Sequence, residues 1–212
     1  MLLSALVLIG CTNNGQFSQH QSAAIGTAVG ALAGGVLGHQ INDDNGRYVG
    51  AVAGALAGAA IGNYMDNQQQ QIQQQVAGTG IDVNRVDQGT LQLNIPSEVL
   101  FAVNQSSINP QFYHSLNAIA QTLQQYPNTI VHVYGFTDGS GADDYNMRLS
   151  QERAQNAAQY LVQQGVNPQR FVVRGYGEQF ATAENNPRDR RVEVFIRAID
   201  QANPQAAYQL VY

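Results

Sequence analysis

Residues 87–199 predict an α+β domain, a two-layer α/β sandwich with a mixed sheet and its helices on one face, preceded by a helical hairpin at 24–67. Three observations carry this reading. Short runs that alternate apolar and polar residues, or are β-branched and aromatic, recur at 90–95, 129–135, 171–174 and 191–197. Two stretches between them place apolar residues at helical spacing. Upstream of all of them, glycine recurs every fourth residue over two adjoining segments.

The strands and helices can be justified in order. Thr90-Leu-Gln-Leu-Asn-Ile95 alternates as a half-buried strand does. Asn109 and Pro110 then supply a cap and a first helical residue, and Phe112, Leu116, Ile119, Ala120 and Leu123 share one helical face that stops before Pro127. Thr129 to Gly135 is a strand by composition. A second helix from about Ala142 to Gln164 turns Leu149, Ala157, Ala158 and Leu161 inward, and Gly165 caps it. Strands divided by helices predict parallel neighbours within a mixed sheet. About 110 residues suffice to close a core.

Between the third strand and the second helix the chain reads YGFTDGSGADDYNMRLSQERA, Tyr134 to Ala154. A β-like run ends in a glycine-bearing loop with Asp138, and the helix that follows carries Arg153. An acid and a base so placed can grip both ends of an amino acid, because a guanidinium fork binds a carboxylate with two parallel bonds. Taken alone, Asp138 equally suits a turn or cap and Arg153 a solvated helix face. Calcium is a weaker reading, since the loop lacks the alternating acids and closing Glu of an EF-hand.

This stretch resembles the OmpA-like peptidoglycan-binding family through Thr137-Asp138, Gly139 and Gly141, Asn146, Leu149-Ser150 and Arg153-Ala154. Val99-Leu100-Phe101, Ser106-Ser107-Ile108 with Pro110, Gly175-Tyr176-Gly177-Glu178 and Arg190-Arg191-Val192-Glu193-Val194 extend the likeness over 87–199. The resemblance implies that the domain binds the zwitterionic D-centre of diaminopimelate in the peptidoglycan stem peptide. It gives the amine to Asp138, the carboxylate to Arg153, and added hydrogen bonds to Thr137 and Asn146. Of the arginine pair, it assigns Arg191 to the border of the site. Two residues depart from the family pattern: Phe136 stands where a His is usual, and Asp189 where an Asn is usual.

The N-terminal third supplies an anchor. Residues 1–10 are nearly all apolar and end at Cys11, the chain's single cysteine. Leu8-Ile9-Gly10-Cys11 resembles a bacterial lipobox, which implies a signal segment at 1–10, acylation of Cys11 and a lipidated linker at 11–23. No basic residue precedes the apolar run, so a longer signal is expected upstream of Met1. Thr12 in place of a retention Asp implies the outer membrane, with the C-terminal domain in the periplasm. A lone cysteine leaves nothing for a disulfide.

Glycines at 26, 30, 34 and 38, and again at 50, 54, 58 and 62, form two zipper stripes joined by a polar turn at 42–46. Such stripes let helices pack closely or self-associate in membranes. Each arm of about 15 residues spans only about 23 Å against a hydrocarbon core of about 30 Å. The hairpin therefore reads as membrane-associated or oligomer-forming rather than spanning. The Gln-rich stretch 68–86 either continues the second helix or links, a spacer by composition. Residues 200–212 form a tail without a motif.

A net charge of −5 excludes bulk attraction to nucleic acid. The four histidines, at 20, 39, 114 and 132, are scattered, and no triad or metal set forms. The expected function is thus a non-enzymatic lipoprotein, without a cofactor, that ties outer-membrane lipid to peptidoglycan. The alternative is a membrane-perturbing or pore-forming zipper protein whose C-terminal domain only anchors it to the wall.

Overall fold

A computed structural model of the chain describes residues 55–102 and 104–212. The signal segment, Cys11 and the zipper stripes before residue 55 lie outside them. A five-stranded sheet runs in the order β1-β2-β5-β3-β4, with β1 at Asp82–Asp87, β2 at Thr90–Pro96, β3 at Thr129–Phe136, β4 at Phe171–Gly175 and β5 at Arg191–Ala198. Strand β5 is antiparallel to both β2 and β3, while β3 and β4 are parallel. The sheet is therefore mixed, as the alternation of strands and helices predicts.

Three helices cover one face: α1 at Gly58–Gln75, α2 at Tyr113–Gln125 and α3 at Asp143–Gln163. Their apolar stripes meet Leu91, Leu93, Val131, Val133, Val192, Val194 and Ile196 in one core. Alternate residues of each strand reach the opposite face. There Tyr134, Phe136, Phe195 and Tyr176 form an aromatic cluster.

Helix α1 corrects two expectations. It runs without a break from inside the zipper segment through the Gln run, burying Ile61, Met65, Gln68 and Ile72. Steps of four, three and four residues put these on one stripe. Tyr64 Oη accepts from the Asn128 amide at 3.0 Å, and Thr122 donates to Gln75 at 2.7 Å. The first part of the 68–86 stretch thus continues the helix, one of its two expected readings, but it is docked and is followed by an edge strand rather than acting as a spacer. The sheet begins at Asp82, ahead of residue 87. The hairpin boundary at 67 falls mid-helix, and Leu56 already bridges Asp200. Among the described residues no helix is long and apolar enough to cross a membrane.

The tail is also part of the fold. Residues Pro204–Tyr208 form a 3-10 turn with Ala207 buried. Its carbonyl meets His132 Nε2 at 2.7 Å, and Tyr212 Oη donates to Glu193 at 2.6 Å. The tail covers the sheet face that the helices leave bare. His132 is wholly buried, and burial pushes its imidazole down to about 4, so it is neutral near pH 7.

Close approach of α3 to the sheet sets the site. A Cβ on Gly135 would lie 2.1 Å from the Ser150 carbonyl oxygen, and one on Gly175 would lie 2.4 Å from the Gln151 nitrogen. Only glycine leaves room for helix backbone there. Ser150 Oγ accepts from the Gly177 amide at 2.8 Å, fixing the helix in register with the ends of β3 and β4.

Candidate functional site

Strand β3 runs out into Thr137 and Asp138 at the helix-covered face. Residues 131 and 133 pack into the helical core, so Thr137, in phase with them, points the same way, and Phe136 points to the other. Helix α3 brings Tyr145, Asn146, Leu149 and Arg153 alongside. A single helical turn after β2, Ser97–Leu100, closes the third side. Between these elements lies a cleft of about 630 Å³ in which Asp138, Thr137, Asn146 and Arg153 all take part.

Asp138 and Arg153 share the cleft without forming an ion pair. Asp138 pairs with Arg190, Oδ2 accepting from Nη1 at 2.6 Å, while Oδ1 accepts the Ser140 hydroxyl at 2.5 Å. Burial pushes the Asp138 carboxyl up, but hydrogen bonds from Ser140 and Arg190 outweigh it and hold it below the ordinary Asp range. It is a carboxylate at neutral pH. Arg190 also reaches Glu98, and these two partners raise its guanidinium further above its usual value.

Arg153 is 4% exposed and makes one hydrogen bond, Nε donating to the Gln105 carbonyl at 3.0 Å. Its guanidinium lies 5.3 Å from the Phe101 ring centre. Burial lowers its pKa, though it stays protonated at neutral pH. Arg170 shows the contrast. Equally buried, it spends its guanidinium on Thr129 O at 2.7 Å, Leu123 O at 2.5 Å, Tyr126 O at 3.0 Å and Thr129 Oγ1 at 2.7 Å. Arg170 is a satisfied structural pin. Arg153 keeps both Nη groups without an acceptor among the described residues. Thr137 Oγ1 and Ser97 Oγ, both in the cleft wall, are buried and have no partner among the described residues. Buried polar groups are normally paired, so such a concentration of open valences makes this cleft the candidate ligand site.

Two expected roles change. Asn146 lines the cleft, but its Nδ2 donates to Ser140 O at 2.8 Å and Glu178 Oε2 at 2.6 Å. It clasps the loop rather than offering free donors. Arg191 does not border the cleft. Its Nε donates to Glu193 at 2.7 Å, and its guanidinium lies 4.1 Å over Phe136 on the opposite face. The cleft arginine is Arg190, in phase with Val192, Val194 and Ile196. The alternation of β5 carries that signal in the sequence. Ser97 and Glu98 carry none.

The two departures from the family pattern, Phe136 and Asp189, do not line the cleft. Phe136 stacks on Tyr176 at 5.4 Å and 12° within the aromatic cluster. Asp189 accepts from Thr182 N at 2.7 Å and Thr182 Oγ1 at 2.8 Å, pinning a neighbouring loop. Among the described residues no three His, Cys, Asp or Glu side chains gather as a metal site, and neither His114 nor His132 lines the cleft.

Comparison with known proteins agrees with this architecture. The OmpA family profile matches residues 100–194, and the glycine zipper 2TM domain profile matches residues 25–66. Probable lipoprotein YiaD of Escherichia coli K12 is 37% identical over 201 residues, covering 90% of this chain and 91% of that protein. Outer membrane porin F of Pseudomonas fluorescens is 38% identical over 111 residues, 50% of this chain and 34% of that one. A putative MotB-like protein from Desulfovibrio vulgaris shares the fold at TM-score 0.57 and 23% identity, over 66% of this chain and 94% of that one. The periplasmic domain of Helicobacter pylori MotB superposes at TM-score 0.51 and 27% identity, over 57% and 82%. A relative that runs nearly the whole length of both chains, together with the loop and helix that shape the cleft, establishes that this chain belongs to the OmpA family.

Proposed function

We propose that this chain is a non-enzymatic outer-membrane lipoprotein that binds peptidoglycan non-covalently, gripping the free D-centre of diaminopimelate in the Asp138–Arg153 cleft. The observation that carries the reading is Arg153: a buried residue that lines the cleft and whose two Nη groups have no acceptor among the described residues. A ligand carboxylate completes that fork. Asp138 takes the ammonium through the Oδ2 lone pair that Ser140 and Arg190 leave open, and Thr137 Oγ1 adds a further bond. Arg190 and Glu98 keep the carboxylate charged and oriented. Acylated Cys11 supplies the lipid end, so that the molecule ties the outer membrane to the wall. The name of its Escherichia coli relative, a probable lipoprotein, supports that end. The zipper segment offers a surface for self-association.

Co-sedimentation of the full chain with purified sacculi tests the proposal. Asp138→Ala and Arg153→Ala are each expected to weaken binding by about ten- to a hundredfold, the scale of a charge-assisted hydrogen bond lost from a buried site. Retention of wild-type sedimentation by both variants refutes it.

A further inference from the structure

A second cleft of about 340 Å³ opens beside the first, and the two share Asn104, Tyr145 and Leu149 as their common wall. We propose that it is a second subsite, which takes the free carboxylate of the residue preceding the gripped amino acid in a wall peptide, with Arg148 as the counter-ion. The inference rests on the zwitterion reading of the first cleft.

Helix geometry sets the two subsites side by side. Asn146, Leu149 and Arg153, spaced by three and four, form the stripe that faces the first cleft. Tyr145, Arg148, Leu149 and Glu152, spaced by three, one and three, form the adjacent stripe that faces the second. Arg148 and Arg153 are therefore about 7.5 Å apart along the helix axis, at 1.5 Å per residue.

The chemistry of the second cleft is asymmetric. Arg148 is exposed and has no ion pair or hydrogen bond among the described residues. Its natural partner would be Glu152, one turn along. Glu152 instead accepts the Ser106 hydroxyl at 3.2 Å, on the far side of the cleft. An open guanidinium is left at one end and a tethered carboxylate at the other. Asn104, on the shared wall, turns the chain there with φ at 56°, a left-handed conformation that Asn adopts more readily than other non-glycine residues. In a stem peptide the residue before diaminopimelate is a γ-linked D-glutamate, whose α-carboxylate is free. From the D-centre, that carboxylate lies on the order of 10 Å away, about three extended residues at 3.3–3.6 Å each. That span is longer than the axial rise of about 7.5 Å between the two arginines, which leave the helix in different directions. Glu152 then faces the amide N–H groups of the same peptide.

Calorimetry on the full chain tests this with two tripeptides, L-Ala-γ-D-Glu-meso-diaminopimelate and its D-isoglutamine counterpart, which lacks only that carboxylate. The wild type is expected to bind the acid about fivefold more tightly than the amide, the scale of a partly exposed ion pair. Arg148→Ala should bind both with the affinity the wild type shows for the amide. Arg148→Lys should recover part of the difference. Equal binding of both peptides by the wild type, or an equal loss on both in Arg148→Ala, overturns the second subsite and leaves the first standing. Failure of the wild type to bind either peptide overturns both.

Discussion

Two buried arginines with opposite hydrogen-bonding states separate architecture from function at the level of single residues. Arg170 fills four acceptors at the end of α2. Arg153 fills one. A buried charge without a counter-ion costs stability unless something else is gained. Arg153→Met is accordingly expected to leave the unfolding free energy within about 1 kcal/mol of wild type, or to raise it, while wall binding is lost. Denaturant unfolding run beside sacculus binding checks this, and a loss of both together would make Arg153 a structural residue. The sequence marks Asp138, Arg153 and Thr137 through the likeness to the family motif. Taken alone, Asp138 reads as a turn or cap residue and Arg153 as part of a solvated helix face, and the fold places all three in one cleft. Choosing between Arg190 and Arg191 required only the period-two rule: Val192, Val194 and Ile196 face the helices, so the arginine in phase with them is Arg190. The likeness to a family motif drew the choice to its neighbour instead. Asn146 was legible as a site residue, but its role as a clasp depends on Glu178, 32 positions away.

Helix α1 shows where composition conceals an element. Its buried stripe reads Ile61, Met65, Gln68, Ile72, and the third member looks like one more residue of a polar run. In the fold Gln68 is wholly buried, and neither amide atom has a partner among the described residues. Leaving such a group unpaired costs about 1–3 kcal/mol. Gln68→Met keeps the length and removes the unpaired atoms, so it is expected to stabilise the chain by about 1–2 kcal/mol and raise the melting temperature by several degrees. A neutral or destabilising result would mean that α1 is not docked as described. Strands β2 to β5 and the other two helices were legible, the strands by alternation or by β-branched and aromatic composition and the helices by apolar spacing. Strand β1, a mostly exposed DVNRVD edge strand, was not. The docking of the C-terminal tail was not, because its contacts to His132 and Glu193 join residues distant in sequence.

Across the whole molecule, one sheet is covered by helices on one side and by its own C-terminal segment on the other. The Asp138–Arg153 cleft opens at the end of β3, where the helix layer begins. Close approach at Gly135 and Gly175 locks α3 against the sheet, so Asp138 and Arg153 are held by separate elements that cannot drift apart. A preorganised pair of this kind discriminates by charge pattern at small cost in ordering. Its central claim is that the cleft recognises a carboxylate and an ammonium on one carbon. The most direct measurement is titration of the full chain with L-Ala-γ-D-Glu-meso-diaminopimelate against L-Ala-γ-D-Glu-L-lysine, which differ by the carboxylate assigned to Arg153. The diaminopimelate peptide should bind at least about tenfold more tightly, with the difference abolished in Arg153→Ala. Equal affinity for the two peptides, or a preference that survives the loss of Arg153, would contradict it.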